Sequence, residues 1–287
     1  MCIRDSLQVL RPRLSGDVSY VDTESVHLVN CREGLELLRG NVDLSSIEDE
    51  LAEAHVQRFA NRAHFQKTYV ALGDLFRRLA SERNFDHVLI DVGPSSGALT
   101  RACFLSCDGF FIPTAPDRFN VQAIGTLASI LDRWLTEHAQ VVGTYRQLGL
   151  PVAPGRPVFL GAIIQFFKTH KGKPKPGYQL WNARLPTQLL SRLKPVLDQK
   201  GEGERGMFFP TDNDGLIAAE IPDFQSLAPL MQEVGKAVFD ISQSDTALIR
   251  DSGIAWSGQT WTDAEERMKG YRRCFEALAR RILEASL

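Results

Sequence analysis

The chain has no apolar run long enough to cross a membrane. The longest, covering residues 102–113, is interrupted and short of the roughly 20 residues a spanning helix needs. The opening Met-Cys-Ile-Arg-Asp-Ser carries neither the apolar segment nor the cleavage site of a secretory signal. An excess of one charge is also missing: 33 Lys and Arg stand against 35 Asp and Glu, a net charge of −2. No global field therefore draws the protein to nucleic acid or membrane, and such binding has to come from local patches. Cysteine is sparse and odd in number: Cys2, Cys31, Cys103, Cys107 and Cys274 among 287 residues. That excludes a disulfide scaffold and points to a reducing, cytoplasmic setting. Cys103 and Cys107 would share a helix face, but no second Cys or His pair completes a zinc set, so they are expected to be core thiols. With 44% hydrophobic residues the chain is too apolar for long-range disorder.

What is present alternates between short apolar runs and helical periodicity. Residues 87–92 (His-Val-Leu-Ile-Asp-Val) form an apolar, β-branched run stopped by Gly93-Pro94, which suits a central parallel strand. Residues 98–107 then read as helix and 109–114 as a buried strand. A longer helix over 121–138 carries Ile124, Leu127, Ile130, Leu131 and Trp134. Residues 158–165 form a third strand, 180–197 a helix interrupted by Pro186 and Pro195, and 207–210 a short strand. Residues 142–157 read as a loop. This order predicts an α/β, doubly wound, mostly parallel sheet in a single domain over residues 1–287. The chain is expected to close with an amphipathic helix over 262–284, opened by a Thr262–Glu265 capping box.

Three motifs invite a chemistry. Gly201-Glu-Gly-Glu-Arg-Gly206 has the dinucleotide spacing G-x-G-x-x-G, but a helix precedes it and a strand follows, the reverse of what pyrophosphate binding needs. Gly93-Pro-Ser-Ser-Gly97 has the spacing of a nucleophile elbow with Ser95 as nucleophile. The final His, His170, falls too early in the chain to complete the usual order of the triad. Asp91, ending an apolar strand, has the Walker B arrangement. There a carboxylate at the carboxyl edge of a parallel sheet holds a Mg²⁺ water beside nucleotide phosphates.

The surroundings of Asp91 make the third motif more specific. Residues 85–100, with Leu-Ile-Asp-Val-Gly-Pro-Ser at their centre, resemble the segment of ParA/MinD-like partition ATPases that runs from an apolar strand through Asp to Pro-Ser and a helix. Asp108-Gly-Phe-Phe-Ile-Pro-Thr-Ala-Pro-Asp117 is similar to that family's next strand and its proline-containing turn. Gly34-Leu-Glu-Leu-Leu-Arg-Gly-Asn-Val-Asp-Leu44 resembles an earlier strand and turn followed by an acidic helix. Leu160-Gly-Ala-Ile-Ile-Gln165 and the stretch from Ile221-Pro-Asp-Phe to Gly-Lys-Ala-Val238 resemble its late strand and adenine loop. The likeness is tight over residues 85–125 and loose elsewhere.

The resemblance implies a P-loop NTPase-like fold, ATP and Mg²⁺ as cofactors, a homodimer formed around ATP, nonspecific DNA binding and a ParB-like or cargo adaptor, in a nucleoid-associated cytoplasmic protein. It implies Asp91 for the Mg²⁺ water shell, Gly93 and Pro94 for the turn beside the γ-phosphate, and Gln165, Pro222 and Asp223 for adenine. Lys171 and Lys173, with Lys168 and Lys175, and the helix arginines Arg272, Arg273, Arg280 and Arg281 are the local basic clusters for DNA. The departure is that G-x-x-x-x-G-K-[ST] occurs nowhere in the sequence; Gly172-Lys173 and Gly235-Lys236 lack the rest of the pattern. The expectation is a sheet missing its first strands, from a truncated reading frame, and a chain unable to hydrolyse ATP. A nucleotide-free interaction protein on a decayed NTPase fold and a Ser95 hydrolase are the alternatives.

Overall fold

The computed structural model describes residues 6–14, 18, 20–24, 26–40, 46–93, 95–170, 173–201, 206–210, 214–249 and 253–285. In chain order the elements are α1 (Ser6–Leu14), a hairpin of β1 (Val29–Arg32) and β2 (Leu35–Leu37), α2 (Glu48–Val56), α3 (Ala63–Arg83) and α4 (Ala98–Ser106). Then come β3 (Gly109–Thr114), α5 (Arg118–Gln147), β4 (Val158–Gln165) and the small hairpin β5 (Thr169–His170) with β6 (Lys173–Pro174). The last part holds α6 (Pro176–Gln188), α7 (Lys194–Lys200), β7 (Ile217–Ile221), α8 (Leu227–Val234) and α9 (Gly258–Glu284). The described chain clusters into two compact units: residues 1–108 with 130–157, and residues 109–129 with 158–287.

The first unit is helical around a buried cluster that includes Leu10, Leu14, Leu51, Leu72, Leu75 and Leu79. Helix α3 stops at Asn84, whose N–H donates to the Ala80 carbonyl and whose left-handed backbone (φ 54°) turns the Phe85 N–H onto the same carbonyl at 2.9 Å. Asparagine adopts that conformation at lower cost than most residues.

The second unit holds the parallel sheet, in the order β3-β4-β7. This is the α/β, parallel architecture expected from the alternating pattern. The registers of β3 and β4 run from Gly109 against Val158 to Thr114 against Ile164, and Gln165 of β4 stands against Ile221 of β7. Gly161 has φ 128°, and a Cβ there would come within 2.9 Å of the Ala218 Cβ, so the close approach of β4 and β7 needs glycine. Leu185, Leu189, Leu193 and Leu197 are buried at four-residue steps. On a regular α-helix such steps drift by about 40° each. The π turn at Leu189–Leu193, wider than an α turn, keeps the leucines on one face and carries the helix between Pro186 and Pro195.

Four sequence expectations are corrected. Residues 87–92 form no strand and pair with none among the described residues, and Val88, Leu89 and Val92 are exposed. An apolar β-branched run specifies extension; a ladder also needs a partner. Residues 207–210 make a single parallel bridge, Phe208 to Phe159, not a strand. Helix α5 runs on to Gln147, so the loop begins at Leu148 rather than at 142. Helix α9 begins at Gly258 after the cap residue Ser257, and Thr262 lies inside it, its hydroxyl donating to the Gly258 carbonyl. The expected capping box is therefore absent: Glu265 lies one turn before Lys269 and pairs with it at 3.7 Å.

Candidate functional site

Parallel strands place their carboxyl ends on one edge, and in doubly wound sheets that edge is where ligands bind. Here it collects three of the sequence candidates. Gln165 ends β4 beside Ile221, and Pro222 and Asp223 follow directly on β7. The two strand ends are tied together: the Asp223 N–H donates to the Phe167 carbonyl at 3.0 Å. The Asp223 carboxylate accepts from the Gln225 N–H at 2.7 Å, and its carbonyl accepts from the Tyr271 hydroxyl at 2.9 Å, which anchors the loop to α9. Gln165, Pro222 and Asp223 are half-buried. Phe166, next to Gln165, is 70% exposed and has φ 60°. At the end of β3, Thr114 is buried and its hydroxyl meets no partner among the described residues.

The remaining nucleotide candidates lie in the first unit. Asp91 and Gly93 are exposed, on the irregular run before α4. Gly93 accepts from the Ser95 N–H at 2.8 Å, and a Cβ on it would meet open space, so this conformation does not itself demand glycine. Pro94 lies outside the described residues. The amino end of α4 is closed by a group that sequence reasoning missed: the Glu48 carboxylate, from the first turn of α2, accepts from the Ala98 N–H and, at 3.1 Å, from the Leu99 N–H. A carboxylate there complements the positive end of the helix dipole and satisfies orphan donors. The acidic start of the helix over 48–56 was the visible signal; its target, 50 residues on, was not.

Among the described residues the Ser95 hydroxyl meets no imidazole: it contacts the Thr100 hydroxyl at 3.2 Å and accepts from the Gly97 N–H at 3.5 Å. Burial pushes the Cys103 and Cys107 thiols up to about 12; Cys103 is buried and Cys107 half-buried. Among the described residues no group of three or more His, Cys, Asp or Glu side chains could hold a metal ion. Lys236 is committed to Asp245, at 2.7 Å, whose carboxyl is held down to about 2 by that lysine and by Ser242. Residues 202–205 of the glycine motif lie outside the described residues, and Gly201 only ends α7.

The basic candidates divide. Lys171 and the side chain of Lys173 lie outside the described residues, while Lys168 and Lys175 are exposed. On α9, Arg272 pairs with Asp240 at 3.0 Å and lies over the Phe239 ring. Arg281 donates to the Gly215 carbonyl at 3.2 Å and lies over Phe209. Both pack α9 onto its own unit. Arg273 is 72% exposed with Glu266 3.9 Å away, and among the described residues exposed Arg280 reaches only the Glu276 carbonyl of its own helix.

Residues 13–141 match a family model described as AAA domain, which supports a P-loop NTPase-like family for that part of the chain. Among solved structures, the crystal structure of protein DIP2308 from Corynebacterium diphtheriae is similar, with a TM-score of 0.59 and 20% identity over 78% of this chain and 71% of that one. At that identity the likeness speaks for the fold. No curated protein matches the chain. Among the described residues no helix is long and apolar enough to cross a membrane.

Proposed function

We propose that this chain is a ParA/MinD-like ATPase-fold protein that positions DNA or other cargo, binding DNA without sequence preference as a homodimer and working with a ParB-like or cargo adaptor. The single-domain organisation over residues 1–287 and a nucleoid-associated, cytoplasmic location belong to the same proposal. The observation that carries it is the match of residues 13–141 to the AAA domain model, because that span contains the tight part of the resemblance around Asp91. The gathering of Gln165, Pro222 and Asp223 at one sheet edge supports the same reading for unit two.

ATP and Mg²⁺ enter with the family, with Asp91 toward the Mg²⁺ waters and Gly93 and Pro94 in the turn beside the phosphates. The residues of this sequence do not make a complete site for them. No Gly-rich loop carrying the phosphate lysine is present, and Lys236 is already paired. No catalytic step is therefore assigned to this chain. The second reading is a nucleotide-free interaction protein on an NTPase fold.

The test is titration of the protein with random-sequence duplex DNA at several salt concentrations. The proposal expects sequence-independent binding that weakens steeply as salt rises, the mark of counterion release. An absence of binding at low salt would leave the interaction-protein reading in place.

A further inference from the structure

The helical unit contains a cavity that the nucleotide and DNA readings do not use. It lies between α2, α3, α4, α5 and residues 151–153, with His55, Tyr69, Gly73, Ser106, His138 and Val152 in its wall. Most polar groups in the wall are committed. The Tyr69 hydroxyl donates to His138 Nδ1 at 2.8 Å, which makes Nε2 the protonated nitrogen, and Nε2 donates to the Ala153 carbonyl at 2.9 Å. The Ser106 hydroxyl donates to Ala102, and Arg77 donates to the Gly73 and Pro151 carbonyls. His55 is the exception. It is 4% exposed, its ring packs edge-on against Tyr69, and neither ring nitrogen meets a hydrogen-bond partner among the described residues.

We propose that this cavity is an internal binding site for one neutral, water-sized hydroxyl, a bound water, held by the His55 imidazole. Three features set that chemistry. A buried polar side chain with no partner is the usual signature of an ordered water, and the free space admits roughly one. A neutral imidazole presents one N–H donor and one bare nitrogen acceptor, and a hydroxyl can serve either role. Burial, with Arg101, His138 and Arg58 nearby, holds His55 neutral down to about pH 3. The Arg101 charge is already answered by Glu137 at 2.6 Å, which leaves an anion little attraction, and Val70, Leu105 and Val152 give the rest of the wall an apolar surface.

The experiment is a crystal structure of the full chain at a resolution that shows ordered water, for the parent and for His55→Leu. In the parent, a water should lie about 3 Å from a His55 ring nitrogen. In His55→Leu the water should be gone, since that side chain offers it neither donor nor acceptor. Should that variant fail to fold, His55→Gln, which keeps a polar group, should retain the water. A parent cavity without water would overturn the proposal. So would a His55 nitrogen bonded directly to another protein group.

Discussion

The Glu48 carboxylate occupies the space that a side chain on Gly97 would fill, because that carboxylate closes the amino end of α4. Gly97→Ala should therefore expel the carboxylate and leave two helix donors without their partner. A loss of about 1–2 kcal/mol in urea unfolding is expected, and Glu48→Ala should cost about as much. The two changes together should cost little more than either alone, since both remove one interaction. Fully additive losses would show that Gly97 is required for another reason.

The acid response follows from His55. Its pKa falls from the usual 6.5 to about 3, first through burial and then through Arg101, His138 and Arg58. Burial lowers that of His138 as well. The unfolded chain thus binds protons that the folded chain refuses. Stability from these groups is complete above about pH 6.5 and declines as pH falls from there toward 3. Urea midpoints at pH 8, 6, 5 and 4 should fall most steeply below 6, and His55→Gln should flatten that decline. An unchanged slope would mean that His55 does not contribute to it.

Leu89 is 77% exposed within an apolar run that pairs with no strand among the described residues. Leu89→Ser is expected to reduce binding of a hydrophobic dye and to alter unfolding free energy by no more than about 0.5 kcal/mol. A loss of several kcal/mol would place Leu89 in a packed core.

Where the sequence was legible, local pattern decided the structure. Residues 109–114 and 158–165 are strands at the expected boundaries because their apolar runs are closed by turn residues; β4 is buried along most of its length and β3 is half-buried. The helix over 98–106 follows its turn as expected. Where it was not legible, the deciding partner lay elsewhere in the chain. The run over 87–92 has strand composition, but composition does not supply a neighbouring strand. Thr262 and Glu265 have the spacing of a cap, but the helix had already begun at Gly258. The arginines of α9 were visible as charge, while Asp240, Phe239 and Gly215, which occupy two of them, were not. At the sheet edge, the motif placed Gln165, Pro222 and Asp223, but not the exposed Phe166 beside them.

The central claim is DNA binding by a ParA-like fold, and α9 offers its most specific test. Arg272 and Arg281 hold the helix to its unit, so Arg273 and Arg280 are the arginines positioned to meet phosphate. The measurement is the salt dependence of random-sequence duplex binding for the parent and for the double variant Arg273→Glu with Arg280→Glu. The account predicts weaker binding at every salt concentration and a log–log slope shallower by about two, one for each phosphate that no longer meets an arginine. Unchanged affinity with an unchanged slope would contradict it.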